Sequence, residues 1–183
     1  FVDGNRITTQ YQTEIGEDIF VPRQKQSTHQ IDILMENMGR VNYGHKLLAE
    51  SQHKGIQTGV CKDLHFMLHW KQYVLDFKHP EKIDFTKEWH EKQPAFYAFD
   101  VELKALKDTY IDLTHFGKGI VFVNGVNIGR FWEVGPTLSL YIPHGLLTIG
   151  KNRIIIFETE GKYSEFIHLV HKPTFKTIKG VNL

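Results

Sequence analysis

His65 and His69 stand four residues apart, the spacing by which zinc proteases present two ligands on one helical turn. The residue after the first histidine is Phe66, where that motif needs a glutamate. The surrounding run, HFMLHWKQYVLDF, reads as extended chain, in which a four-residue step separates side chains by roughly 13 Å, too far to share an ion. Both are read as surface or packing histidines. Glu81, Asp84, Glu88 and Glu91 offer paired carboxylates, the tools of glycoside hydrolysis. They alternate with Lys82, Lys87 and Lys92, the pattern of a solvated face rather than of two acids converging on a sugar. Cys61 is the single cysteine, so an intrachain disulfide and a cysteine-built zinc site are excluded, and it lacks a nucleophile signature. No serine occupies a Gly-x-Ser-x-Gly elbow, and Gly117-Lys118-Gly119 lacks the spacing of a phosphate-cradling loop. The chain is therefore expected to hold no catalytic residue, no metal and no cofactor.

Two polar constellations remain. Met35 to Gly44 (MENMGRVNYG) sets Asn37, Arg40, Asn42 and Tyr43 on a tight turn. Amides and a guanidinium hydrogen-bond sugar hydroxyls, and an aromatic ring packs on the apolar face of a pyranose. Most of these residues are read as a structural turn, with Arg40 paired to a nearby acid such as Glu36. Asn42 and Tyr43, between Val41 and Gly44, are expected to face outward. The second constellation is Gly117 to Trp132 (GKGIVFVNGVNIGRFW), a strand, an Asn-Gly hairpin, a second strand and an aromatic pair. Arg130 is expected to stack on Phe131 or Trp132 or to bond a carboxylate. Arg130 and Trp132 are thus candidates for sugar stacking or an interface.

The scaffold for these groups is bounded by composition. The 183 residues suit one or two domains and fall short of a (β/α)₈ enzyme, which takes about 250. A hydrophobic share of 41% with 23% charged residues is globular, and 13% aromatic residues favour a strand-based core. Twenty-two Lys and Arg against 21 Asp and Glu leave a net charge of +1, no electrostatic footprint for nucleic acid or an anionic membrane. No apolar run reaches 18 residues, so no transmembrane helix is expected. Phe1-Val2-Asp3-Gly4-Asn5 reads as a strand entering a turn, as though cut from a larger protein, and the lone cysteine fits a reducing compartment, the bacterial cytoplasm.

Most of the chain alternates with period two between turn signals. Strands are predicted at 17–21, 30–37, 55–60, 95–103, 109–113, 119–123, 126–130, 138–142, 153–158 and 166–170. A short helix is predicted over 81–92, opened by Pro80, with Phe85 and Trp89 spaced i, i+4. Residues 64–183 supply strands for one sandwich and residues 1–63 too few for another, so the first part is read as an incomplete β domain. Phe99, Val101, Tyr110, Ile120, Phe122, Ile154, Ile156 and Leu169 are the expected core of the second, with some turned outward if the register slips by one.

ILMENMGRVNYG (33–44), Lys54-Gly55-Ile56, TYIDL (109–113), the Gly117–Trp132 run, Gly135-Pro136, LSLYIP (138–143) and Asn152 to Glu158 resemble, in that order, the C-terminal β domains of β-galactosidases of glycoside hydrolase family 35. Members usually carry Tyr at position 131 and Leu at position 128. The resemblance implies an all-β fold: a galactose-binding-domain-like jelly-roll β-sandwich preceded by part of a second β-sandwich. It implies a retaining enzyme acting on terminal non-reducing β-D-galactose, with a (β/α)₈ barrel whose two glutamates lie outside this chain. The barrel of the same polypeptide and β-galactosides are the partners implied. The region would then be non-catalytic, packing on the barrel and shaping its pocket. Asn42 and Tyr43 would form a substrate-facing loop, and Leu47, Leu48 and Trp89 would contribute to an exposed apolar docking patch. The competing expectation is an autonomous galactose-binding module with Tyr43, Trp132 or Tyr163 as its platform. An enzyme in its own right would need two convergent carboxylates, about 5 Å apart for retention or about 6.5–9.5 Å for inversion, and no such pair is evident.

Overall fold

A computed structural model describes residues 1–11, 14, 17–22, 25, 27–37, 39, 43–45, 47 and 54–177. The chain divides into two compact units, Phe1–Leu75 and Asp76–Leu183.

Among its described residues the first unit has little regular structure. Val2 and Asn5 exchange backbone hydrogen bonds of 2.9 Å, and Val2 also bridges Ile31. The Asp3 carboxylate fixes this corner by accepting the Gln30 backbone N–H at 2.9 Å, with His29 Nδ1 2.7 Å away. Strands β1 (Cys61–Lys62) and β2 (His65–Phe66) form a hairpin whose turn residues, Asp63 and Leu64, have φ of 48° and 66°. Two successive positive φ values match the twist of the flanking strands. The predicted domain edge at 63/64 falls inside this turn, and the unit runs on to Leu75. A hairpin turned by Asp-Leu carries no Gly or Pro punctuation, so the sequence does not announce it. The strands predicted at 17–21, 30–37 and 55–60 are not formed, beyond single bridging residues at Glu17 and Ile31. Val2 is the buried hydrophobic side chain among this unit's described residues.

The second unit is a two-sheet sandwich. One sheet has the order β3 (Ala95–Leu103), β8 (Gly150–Glu158), β5 (Lys118–Val123), β6 (Val126–Trp132), and every neighbour is antiparallel. The other has the order β7 (Ser139–Ile142), β4 (Thr109–Asp112), β9 (His168–Val170). Val121, Val123, Ile154 and Ile156 alternate toward the interior, where they meet Ile111, Leu113, Phe116 and Ile142. Their neighbours Phe122, Ile155 and Phe157 point to the opposite face and are also buried. Phe77 covers that face, with ring centroids 5.2 Å from Phe157, 5.9 Å from Phe96 and 6.4 Å from Phe122. Burial on both faces explains why β5 and β8 read as unbroken apolar runs. Of the expected core, Phe122, Ile154 and Ile156 are fully buried, with Phe122 on the outer face, while Phe99, Val101, Tyr110, Ile120 and Leu169 are half-buried.

The predicted hairpin forms at Asn124-Gly125, with φ of 47° and 84°. Asn124 also anchors it: Nδ2 donates to Leu146 O at 2.8 Å, and Oδ1 accepts the Arg153 N–H at 2.9 Å. The predicted helix over 81–92 does not form. A single 3-10 turn, Pro80–Lys82, ends at Ile83, whose φ of −66° and ψ of 129° are extended. Asp84 then accepts the Thr86 N–H at 2.9 Å and the Thr86 hydroxyl at 2.6 Å. That local turn competes with the helical ladder and wins, since few apolar contacts reward a helix here.

Candidate functional site

The residues singled out by sequence fall in both units. Tyr43 is 88% exposed, beside Gly44 at φ 110°. Asn42 lies outside the described residues, as do Arg40 and Leu48. Arg130 is exposed on β6, and Phe131, next to it, turns into the core against Phe116 at 6.2 Å. Lys118, which the β5–β6 register places opposite, sits over the Trp132 ring, 5.5 Å from its centroid. His65 Nδ1 bonds its own turn at Asp63 O, 2.8 Å away. Among the described residues no three His, Cys, Asp or Glu side chains gather as a metal would require.

Two acids of the 81–92 segment, Glu81 and Asp84, are shifted away from proton donation. Hydrogen bonds from Thr86, its hydroxyl first, hold the Asp84 carboxyl below the usual range. Its own backbone N–H and then His79 do the same for Glu81. A glycosidic general acid needs the opposite shift.

Among the described residues the carboxyl that is shifted upward is Glu158, and its burial is the first cause. Four backbone N–H groups converge on it. Oε1 accepts from Gly117 (3.1 Å), Lys118 (3.3 Å) and Glu160 (3.1 Å), and Oε2 accepts from Lys162 (2.9 Å). Its acceptor sites are taken by the loops it holds together, so its role is structural.

A concave site lies elsewhere. A cleft of about 650 Å³ is lined by the segment 83–94, the start of β3, Arg153 and Tyr163. The Trp89 indole N–H donates to the Tyr97 hydroxyl at 3.0 Å, which fixes the ring plane. Tyr163 stands 5.0 Å from Trp89, tilted by 48°, and 5.2 Å from Tyr97. Burial pushes the Tyr97 hydroxyl up, so it stays protonated. The Arg153 guanidinium sits 5.2 Å from the centre of the Phe85 ring and 3.5 Å from Asp100. The two walls meet at Gly161: a Cβ there would fall 2.3–2.6 Å from the Lys92 backbone. In the sequence the i, i+4 spacing of Phe85 and Trp89 points only to a helix, which does not form. Arg153 and Tyr163 arrive from distant strands and loops, which spacing does not show.

Two antiparallel sheets packed face to face define a class: a β-sandwich module. Comparison makes this specific. The family model "Beta-galactosidase, first all-beta domain" matches residues 1–76, and "Beta-galactosidase, galactose-binding domain" matches residues 94–152. Beta-galactosidase 17 of Arabidopsis thaliana is 36% identical over 154 residues, covering 73% of this chain and 22% of that protein. Beta-galactosidase-1-like protein 2 of Homo sapiens is 34% identical over 134 residues, covering 69% of this chain and 21% of that protein. Beta-galactosidase of Xanthomonas manihotis is 36% identical over 117 residues, 62% of this chain and 19% of that protein. The chain belongs to the β-galactosidase family and carries two of its non-catalytic β domains. It spans about a fifth of the length of these relatives. Among the described residues no helix is long and apolar enough to cross a membrane.

Proposed function

We propose that this chain is the accessory β region of a retaining β-galactosidase, which packs on a (β/α)₈ catalytic barrel of the same polypeptide and shapes the pocket that takes terminal non-reducing β-D-galactose. The observation that carries this is the first unit's surface. Phe20, Leu68, Tyr73 and Val74 are 74–90% exposed, while Val2 alone of its described hydrophobic residues is buried. Large apolar side chains left this exposed among the described residues call for a covering partner. The compartment is a reducing one, such as the bacterial cytoplasm, on the strength of the free, exposed Cys61.

The 183-residue chain alone is expected to release no nitrophenol from a nitrophenyl β-galactoside and to bind a hydrophobic dye strongly. Dye fluorescence should fall when a separately produced family barrel is added. Turnover by the chain alone, or dye binding that the barrel leaves unchanged, overturns the proposal.

Within the same proposal Asn42 and Tyr43 form the loop lent to the pocket rim, supported by the exposure of Tyr43 in its turn. In the assembled enzyme Tyr43→Ala should raise KM for a galactoside several-fold and leave the melting temperature unchanged, as an exposed side chain removed from solvent contact would. An unchanged KM removes the loop from the site.

A further inference from the structure

We infer that the cleft between the 83–94 segment and β3 is a saccharide-binding site, built for a neutral ligand of one or two pyranose rings. It does not depend on docking to a barrel.

Its size comes first. About 650 Å³ falls within the range of small-ligand pockets and exceeds what one ring fills. Its charge comes second. Asp84 and Glu88 are balanced by Lys87 and Arg153 in the lining, so the cleft offers no net field to a phosphate or carboxylate. Its surface comes third. Trp89 is 45% exposed and Tyr163 48% exposed, and the two rings meet at an angle as an open corner. An aromatic corner edged by charged and polar groups suits a ligand with an apolar C–H face and a rim of hydroxyls, which describes a pyranose. A purely apolar ligand would leave the charged rim dehydrated and unpaired.

The site is also pre-organised. The Trp89 indole N–H is spent on Tyr97, whose own ring is 8% exposed and anchored in the core. Arg153 is held between Asp100 and the Phe85 ring. Little side-chain freedom remains to be lost when a ligand arrives. Tyr163, one of the three rings the sequence offers as a platform, lines the cleft, and Trp132 does not.

The test is a heteronuclear NMR titration of the 183-residue chain with lactose, galactose and maltose, and with inorganic phosphate as the charged control. Saturable shifts at Trp89 and Tyr163 with one or more sugars, at dissociation constants of about 0.1–10 mM, and none with phosphate, are expected. Trp89→Ala should weaken binding by about tenfold or more. Trp89→Phe, which keeps a ring and tests for loss of fold, should weaken it less. The proposal is overturned by no saturable shift with any sugar, by shifts confined to Tyr43 or Trp132, by equal binding of phosphate, or by a Trp89→Ala chain that is folded and binds as the parent does. Failure here leaves the dye and barrel result untouched, so the two proposals are separable.

Discussion

Gly119→Ala should abolish the native fold of the second unit. Gly119 lies on β5 between Glu158 of β8 and Phe131 of β6. Its conformation is ordinary, so backbone freedom is not the reason for glycine. The reason is space: a Cβ there would lie 1.8 Å from the Phe157 carbonyl oxygen, 2.9 Å from the Phe157 carbonyl carbon and 3.1 Å from Phe131 Cζ. A carbonyl in a central ladder cannot rotate aside as a side chain can, so the two middle strands of the sheet must part. Parting them exposes Ile154, Ile156, Val121 and Val123, all 0% exposed in the native unit. The cost should exceed about 5 kcal/mol, which matches or exceeds the whole stability of many domains. Gly145→Ala is the control, because a Cβ at Gly145 meets nothing within 4 Å. Urea unfolding followed by tryptophan fluorescence should show no cooperative transition for the first variant and a parental midpoint for the second. A Gly119→Ala chain melting within about 5 °C of the parent would contradict the close approach.

The same motif shows what was legible in the sequence. Gly117-Lys118-Gly119 lacks the spacing and the following helix of a phosphate loop, and the structure supplies the reason both glycines are there. Gly119 admits the Phe157 carbonyl, and a Cβ at Gly117 would sit 2.5 Å from Glu160 Cβ and 2.9 Å from Glu158 Oε1. Strands in the second unit were readable because their period and their turns agree. Asn124-Gly125 fixes one hairpin, and β3 and β5 to β8 fall within three residues of their predicted limits. In the first unit the strands expected at 17–21, 30–37 and 55–60 are not formed, because alternation signals a strand only where a partner completes the ladder, and the described part of this unit shows almost no such pairing. The 81–92 segment failed for a local reason, the Asp84–Thr86 turn. The cleft escaped because its two walls are joined only by the fold, through the contact of Gly161 with Lys92.

Glu158→Ala should destabilise the second unit by about 4–5 kcal/mol, and Glu158→Gln should change the pH dependence of stability rather than simply lower it. Removing the carboxylate leaves four backbone donors, from Gly117, Lys118, Glu160 and Lys162, without their acceptor. These donors close the loops at the ends of β5 and β8, so their loss opens the edge from which Tyr163 reaches the cleft. Burial raises the folded-state pKa of Glu158 above its unfolded value, and the four N–H bonds only partly oppose this. The folded chain therefore holds this proton more tightly than the unfolded chain does. The stabilisation from Glu158 is fully present below the unfolded value and is lost as pH rises through the raised one. Other carboxyls move the opposite way: Asp3, Glu81, Asp84 and Asp108 are all lowered by hydrogen bonds. The informative quantity is thus the difference between parent and Glu158→Gln. A Gln placed with its oxygen at the three-donor site points its amide nitrogen at the Lys162 N–H, so the parent should be more stable in acid. The gap should narrow as the pH rises past the glutamate range and the parent takes on a buried charge. Urea midpoints measured from acid to neutral pH decide it, and parallel curves would show that Glu158 does not titrate with folding.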